Sequence, residues 1–471
     1  MLGLFGTLDL ARRAMQAQMA GVTVAGQNLA NVNTPGYSRQ RVDLATSPDL
    51  PSYIGQTGTG VNATGITQIV SNLLNGQIQS QSSTSGFWTS QQTALQSAQD
   101  GLAEFLNGTG STTDTTGSAS SSGLSGQLSN LFAAFQGVAA SPGSIPARQT
   151  LIGAAQNLAT MFNQVDKQLT NVKTSLNTSL SSDVDSANKV ASQIADLNKQ
   201  ISIAEFSGGT ANDLRDQREQ ALEKLSGLAN ITTSTGTDGS VNVSVGGQAL
   251  VSGRQVLDTL QTYDAGGGQM LVRTAAGGTP LTLTGGTMQG TIEARDGELG
   301  TMQTNINSLA TNLINGVNAI YQPGYGLNGT TGATFFDGTG AGDMAVNQSL
   351  VNDPSTLQAA NAATATGDNS VALQLAQLAD TAQAGLNNQT FGDYYGATVT
   401  GLGSALSNAN TEVTNQQAVS SMLSTQLGSV SGVNIDEEMT NLLSFQRAYT
   451  ASAELLKTVD QMIQTTLAMK T

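Results

Sequence analysis

The side chains in this sequence that could do chemistry are carboxylates. Its 471 residues include 33 Asp and Glu, 18 Lys and Arg, 8 Tyr and 1 Trp, with no histidine and no cysteine. Lacking those two types, the chain has no thiolate nucleophile, disulfide, imidazole shuttle, Ser-His-Asp triad or Cys- or His-ligated metal. Acid pairs, Lys or Tyr could still act as general acid and base. Asp436, Glu437 and Glu438 are consecutive. On a helix such acids diverge rather than converge on a metal, and the N-terminus of a helix already attracts them. Asp213, Arg215, Asp216, Arg218, Glu219, Glu223 and Lys224 mix both signs, the pattern of a solvated helix face or one touching a neighbouring subunit. Asp258, Asp264, Glu293 and Asp296 have no spacing that gathers them. Gly58-Thr59-Gly60 resembles a phosphate loop only superficially, because no lysine here follows a glycine; it reads as a turn. Trp88 reads as packing, and Arg447 as a surface arginine or the partner of an acid on a neighbouring helix. No catalytic, metal-binding or cofactor-binding set emerges, and the expectation is a protein without enzymatic activity.

Composition agrees. Only 11% of residues are charged, against about a quarter in an ordinary soluble domain. The surface must therefore be covered by Ser, Thr, Asn and Gln. With 4% aromatics, a core drawn from the 38% hydrophobic residues is aliphatic. A net charge of −15 argues against binding nucleic-acid phosphate or an anionic membrane surface. Apolar runs fall short of the roughly 18 residues that span a bilayer. Arg12 and Arg13 follow the first apolar stretch, where a cleavable signal would carry its charge before it. The expectation is a protein that stays in the cytoplasm or leaves by a route reading no such signal.

The elements that must position these residues begin and end alike. A 3-4-3-4 spacing picks out Met1, Leu4, Leu8, Ala11, Met15, Gln18, Val22, Ala25, Leu29 and Val32, a seam broken only by Gln18. Asn33, Thr34, Pro35 and Gly36 then stop the helix. The same spacing recurs in Leu442, Phe445, Tyr449, Ser452, Leu456, Val459, Ile463 and Thr466, with Asn434 and Glu437 as a capping box. Two readings stand for these helices: packing in a monomer core, or assembly with other chains. Between them, 37–66 reads as extended, 67–106 as helix, 107–127 as a Gly/Ser/Thr link, 148–206 as a long helix and 213–228 as a charged helix. Val241, Val243 and Val245 alternate with polar residues after Asp238-Gly239, and glycine pairs punctuate short strands to about Ile292. Helical spacing returns from Leu299.

Six short motifs carry a resemblance. Asn28 to Gln40 reads NLANVNTPGYSRQ, including Asn31 and Tyr37; Val433 to Met439 reads VNIDEEM; and Phe445 to Tyr449 reads FQRAY. Together these resemble the conserved ends of bacterial flagellar axial proteins. Asn212 to Arg218 (NDLRDQR), Gly246 to Val251 (GGQALV) and Gly290 to Asp296 (GTIEARD) are similar to the hook-associated protein 1 family. The resemblance implies a ring of subunits between hook and filament, contacts with hook protein and the neighbouring hook-associated protein, and export without a cleaved signal to an extracellular place in the flagellum. It also implies a cytoplasmic chaperone on the C-terminal helix, and termini that are disordered in the monomer and fold into coiled coil on assembly. The chain is short for the family, which implies an outer domain that is reduced or missing.

The expected fold is mainly α with an inserted β domain. It is elongated, with long antiparallel or coiled-coil helices from both termini and a β-rich middle, the termini at one end and the β domain at the other. The expected divisions are 1–36, an N-terminal heptad helix; 37–230, a helical rod; 231–295, the β domain; 296–432, helical with a Gly-rich loop at about 325–367; and 433–471, the C-terminal heptad helix. A hook or distal rod protein is a second reading. A secreted adhesin or enzyme using flagellar export segments is a third, with Asp258, Asp264, Glu293 and Asp296 as its acids.

Overall fold

A computed structural model describes residues 3–52, 55–107, 123–206 and 208–469; most of the Gly/Ser/Thr link lies outside them. The chain opens with α1 (Leu4–Ala30), then β1 (Gln40–Thr46), β2 (Leu50–Ser52), β3 (Gly55–Thr57) and β4 (Val61–Gln68). Strands β1 and β4 pair antiparallel from Gln40↔Gln68 to Thr46↔Val61, and the short β2–β3 pair extends the ribbon. Four helices follow: α2 (Asn72–Asn107), α3 (Leu124–Ala140), α4 (Ile145–Glu205) and α5 (Asn212–Leu228). Helix α4 has 61 residues, about 90 Å of continuous rod at 1.5 Å per residue. Ser144 caps it by accepting from the Ala147 amide, with Pro146 in the first turn.

The β region contains β5 (Ile231–Thr235), β6 (Val241–Val245), β7 (Gln248–Ser252) and β8 (Gln255–Val256) in one antiparallel sheet, then the hairpin β9 (Leu260–Asp264) and β10 (Met270–Thr274). Val241, Val243 and Val245 all point inward, as their alternation predicts. Next come α6 (Gly286–Glu293), a π-helical turn at Ala294–Glu298, α7 (Leu299–Tyr321), and a Gly-rich segment with β11 (Phe336–Asp337), β12 (Ala345–Val346), α8 (Gln348–Asn352) and α9 (Ser370–Gln377). Helices α10 (Phe391–Ser431) and α11 (Ile435–Ala468) complete the fold. The mainly helical architecture with long terminal helices and a β-containing middle is the expected one.

Two hydrophobic cores lie along α4. Its N-terminal half packs with α3, α7, the start of α10 and the Gly-rich segment, where Phe135, Tyr321, Phe335 and Phe336 are enclosed. Its C-terminal half, Leu180 to Leu197, packs with α5 and the strands. Arg295, fully buried in the π turn, ties the two together. It donates to Asn177 Oδ1 on α4 (2.7 Å), to the Met270 carbonyl on β10 (2.5 Å) and to the Asp296 carboxylate (2.6 and 2.8 Å).

Two expectations need correction. The β region is not at the end opposite the termini. Arg218 on α5 donates to the Gly239 carbonyl in the β5–β6 turn (3.0 Å), while α5 also carries the motif that meets the terminal segments. The far end is instead the helical core around α3. The last strand of the β region also ends at Thr274, and a helix, α6, occupies 286–293 where short strands are expected to about Ile292. Glycines punctuating 277–290 suggested more strands, but Gly286 and Gly290 serve close helix packing. A Cβ at Gly290 would lie 2.2 Å from the Phe87 carbonyl oxygen, and one at Gly286 2.4 Å from the Ala229 nitrogen.

Candidate functional site

Helices α1 and α11 run antiparallel. Asn28 near the end of α1 meets Glu438 at the start of α11, and Gly21 lies under the Phe445 ring. A Cβ on Gly21 would come within 2.7 Å of that ring, so glycine permits the approach. Neither helix contributes a residue to either hydrophobic core. Helix α1 rests otherwise on the β1–β4 ribbon, where Arg13 donates to Ser47 Oγ (2.6 Å).

The apolar seams sit on this pair. On α1, Leu4, Leu8, Met15, Val22 and Leu29 are all half-buried, while the deepest contact is made by Ala11, Ala17, Gly21, Val24, Ala25 and Asn28. Small residues therefore form the closest approach and the larger seam residues flank it. On α11, Leu442, Phe445, Tyr449, Leu456 and Ile463 are half-buried and Val459 is buried. Further apolar side chains face outward: Phe5 is 77% exposed, Met19 53%, Met462 51% and Leu467 62%. A two-helix pair covers one side of each stripe and leaves the other open, the condition of an unfinished coiled coil.

Beneath the pair is a polar joint in which three separated motifs meet. Asn28, 1% exposed, is its centre. Its Nδ2 donates to the Gln40 carbonyl (2.9 Å) and Glu438 Oε2 (3.1 Å), and its Oδ1 accepts from the Gln40 amide and the Tyr37 hydroxyl (each 2.9 Å). Arg39 spans Glu437 (2.8 Å) and Glu438 (2.7 Å). Asn434 caps α11 by accepting from the amides of Asp436 and Glu437. The expected capping box is not closed, because the Glu437 carboxylate turns to Arg39 instead. Asp436 is exposed and only adds charge to the helix start.

The helix stop works through backbone geometry. Asn31 Nδ2 donates to the Gln27 carbonyl, the Thr34 hydroxyl to Asn31 Oδ1, and the Tyr37 amide to the Thr34 carbonyl. Asn33 and Pro35 are exposed. Gly36 adopts φ of +73°, and a Cβ there would sit 1.9 Å from Gln220 Nε2, the atom that donates to the Pro35 carbonyl. This glycine answers both to its conformation and to the approach of α5.

Helix α5 supplies the third motif. Asp216 accepts from the Ser38 amide (2.9 Å) and Gln68 Nε2 (3.3 Å), and Asp213 from Gln40 Nε2 (2.9 Å). Asn212 donates to Gln40 Oε1 and the Ile66 carbonyl. The solvated-face reading of this cluster holds for Asp213, Glu223 and Lys224, which are exposed, and is corrected for Asp216 and Arg218, each only 6% exposed. The mixed-sign sequence hid this because these two charges take polar partners from other segments, the Ser38 amide for Asp216 and Asn198 Oδ1 for Arg218 (3.0 Å). Burial pushes the Asp216 carboxyl up, and does the same to Glu219 and Glu223. Burial, with Asp213, Asp216 and Glu438 nearby, pushes the Tyr37 hydroxyl up to about 12. The Arg215 guanidinium holds Glu205 below the usual carboxylate range.

The remaining acids do not converge. Asp258 accepts from the amides of Thr259, Ala276 and Gly277, Asp264 from Gly266, and Asp296 is taken by Arg295. No group of three acids that could hold a metal occurs among the described residues. Gly60, at φ of +108°, makes a turn against Leu10. Trp88 packs edge-on to Phe87 at 5.0 Å beside the first core. Arg447 is exposed and forms no ion pair among the described residues.

Comparison with known proteins bears on this arrangement. Residues 109–336 match the family described as the flagellar hook-associated protein FlgK helical domain. Residues 8–37 match the flagella basal body rod protein family, and 427–469 the C-terminal family of the basal body rod FlgEFG proteins. Flagellar hook-associated protein 1 of Bacillus subtilis is 28% identical, over 98% of this chain and 98% of its own length. That of Salmonella typhimurium is 24% identical over 98% and 99%. The fold is shared with the flagellar hook junction protein FlgK from Burkholderia pseudomallei, at a TM-score of 0.63 and 17% identity, over 75% of this chain and 100% of that one. The two terminal matches cover α1 with its stop and α11, and the longest covers the rod and β region between them. Over nearly its whole length the chain is similar to flagellar hook-associated protein 1.

Proposed function

We propose that this chain is a structural subunit of the bacterial flagellum that forms a ring at the hook–filament junction and performs no catalysis. The observation that carries the reading is the α1–α11 pair: two half-covered apolar stripes, outside both cores, with further large apolar side chains facing out. Copies placed side by side bury these stripes against one another, at about 25 cal/mol for each Å² of apolar surface covered. Leu4, Leu8, Met15, Val22, Leu29, Leu442, Phe445, Tyr449, Leu456, Val459 and Ile463 are the contact residues. The joint around Asn28 then sets how the assembled pair is held to the body.

The names of the relatives, hook-associated and hook junction protein, support hook protein as a partner; the neighbouring hook-associated protein is the partner on the filament side of the ring. Export without a cleaved signal takes the chain to the flagellum outside the cell. Before export, a cytoplasmic chaperone covers the exposed stripe of α11. Helices this dependent on a partner gain most of their stability from assembly. Deleting the gene should leave hooks without filaments by electron microscopy, and the wild-type chain should restore filaments. Normal filaments in the deletion strain would refute the reading.

A further inference from the structure

A small cavity of about 80 Å³ opens where α2, α5 and the end of α10 meet beside the joint. Asp216, Glu219 and Glu223 line it from one side of α5, at the i, i+3 and i+7 positions of a single helical stripe. They run from the buried Asp216 through the half-buried Glu219 to Glu223 at the rim, which water reaches. The opposite wall includes Ser431, which is 5% exposed and whose Oγ has no hydrogen-bond partner. Ser431 also ends α10, and the last turn of that helix carries no basic residue to balance its negative end.

No Lys or Arg among the described residues lines the cavity. Arg39 holds Glu437 and Glu438. Arg218 donates to Asn198 and the Gly239 carbonyl and acts on Glu219 only through its field, and Arg215 pairs with Glu205; Lys224, exposed, forms no ion pair among the described residues and does not line the cavity. Glu219 receives only the Gln79 amide (3.4 Å), and Asp216 only neutral donors. Three carboxylates, a helix C-terminus and an orphan hydroxyl thus surround one cavity whose lining includes no basic residue. Removing carboxylates from water is unfavourable unless a cation faces them. The upward shift of all three acids is the same imbalance seen from the proton's side. No metal-holding triad exists among the described residues, so the geometry suits a hydrogen-bonding organic cation rather than a coordinated ion.

We propose that this cavity binds a cationic head group, a guanidinium or ammonium, held by Asp216, Glu219, Glu223 and Ser431. The head group comes either from a Lys or Arg of an adjacent copy or from a free small amine. Titration calorimetry of the full chain with methylguanidinium chloride, against sodium chloride at matched ionic strength, tests the site. The wild type should give saturable heat with methylguanidinium alone. The D216N/E219Q/E223Q variant should lose it, and S431A should weaken it several-fold. The triple variant removes unpaired buried charge and should fold; E223Q at the rim, together with S431A, provides the same test should it not. Equal heats from wild type and variants would overturn the proposal. A second arm separates the sources and alone rests on the assembly reading. If an adjacent copy supplies the cation, methylguanidinium inhibits self-association more than sodium chloride does. If a free amine supplies it, calorimetric binding persists while association is unaffected.

Discussion

Replacing Asn28 with Ala tests the joint at its centre. The side chain satisfies both backbone groups of Gln40, itself 6% exposed, and also touches Tyr37 and Glu438. After truncation Glu438 still has Arg39, and the half-buried Tyr37 hydroxyl can turn toward water. The Gln40 N–H and carbonyl have no such recourse. Each orphaned buried group costs about 1–3 kcal/mol, so the joint loses roughly 3 kcal/mol in all. Both hydrophobic cores lie apart from Asn28, so the loss should fall on the attachment of the α1–α11 pair and not on the body. At about 1.4 kcal/mol per tenfold, the concentration for half-maximal addition to purified hooks should rise roughly a hundredfold. The main thermal unfolding transition should hardly move. An unchanged addition curve, or a large drop in the main melting temperature, would refute the assignment of Asn28 as the pivot between pair and body.

Gly21→Leu should block the pair, because even a Cβ there lies 2.7 Å from the Phe445 ring; adding Phe445→Ala should restore part of the hook addition lost. Arg295→Ala should lower the main melting transition by about 3–5 kcal/mol, since it frees the Met270 carbonyl and Asn177 inside the protein and unpairs Asp296. Asp216→Asn should raise the melting temperature at about pH 8 and give little gain at about pH 4. The sign follows from a folded-state pKa raised by burial: between the ordinary carboxylate range and the raised value the folded chain binds more protons, so wild-type stability falls as pH rises through that window. A gain that is constant with pH would show that Asp216 is not the titrating group.

The terminal stripes could be read directly because strict 3-4 spacing admits one helical interpretation. Leu442, Phe445, Leu456 and Val459 lie where that spacing puts them. On α1 the same rule selected the large flanking residues and passed over Ala17, Gly21 and Val24, since close helix approach is signalled by small size rather than hydrophobicity. The joint was only partly readable. Asn28, Tyr37 and Glu438 stood out as motif residues, but their convergence with Asp216 spans 178 residues of chain from Ser38, a separation that no local pattern encodes. The buried state of Arg218 and Asp216 was hidden for the same reason: a charge looks solvent-bound until its distant partner is known. The helix α6 was concealed by its Gly and Thr content, which disfavours helix locally and is overridden by packing against α2. Glu437 adopted a partner from another segment, so the capping box expected from four consecutive residues did not form.

Hydrogen exchange measured on the purified monomer and on the assembled junction is the most direct test of the central claim, that α1 and α11 are assembly elements and not core. In the monomer, amides of residues 4–30 and 435–468 should exchange far faster than those in the buried stretch of α4 from Leu151 to Leu197. On assembly the terminal segments should become protected while α4 changes little. Terminal helices as strongly protected in the monomer as α4, with no gain on assembly, would contradict the account.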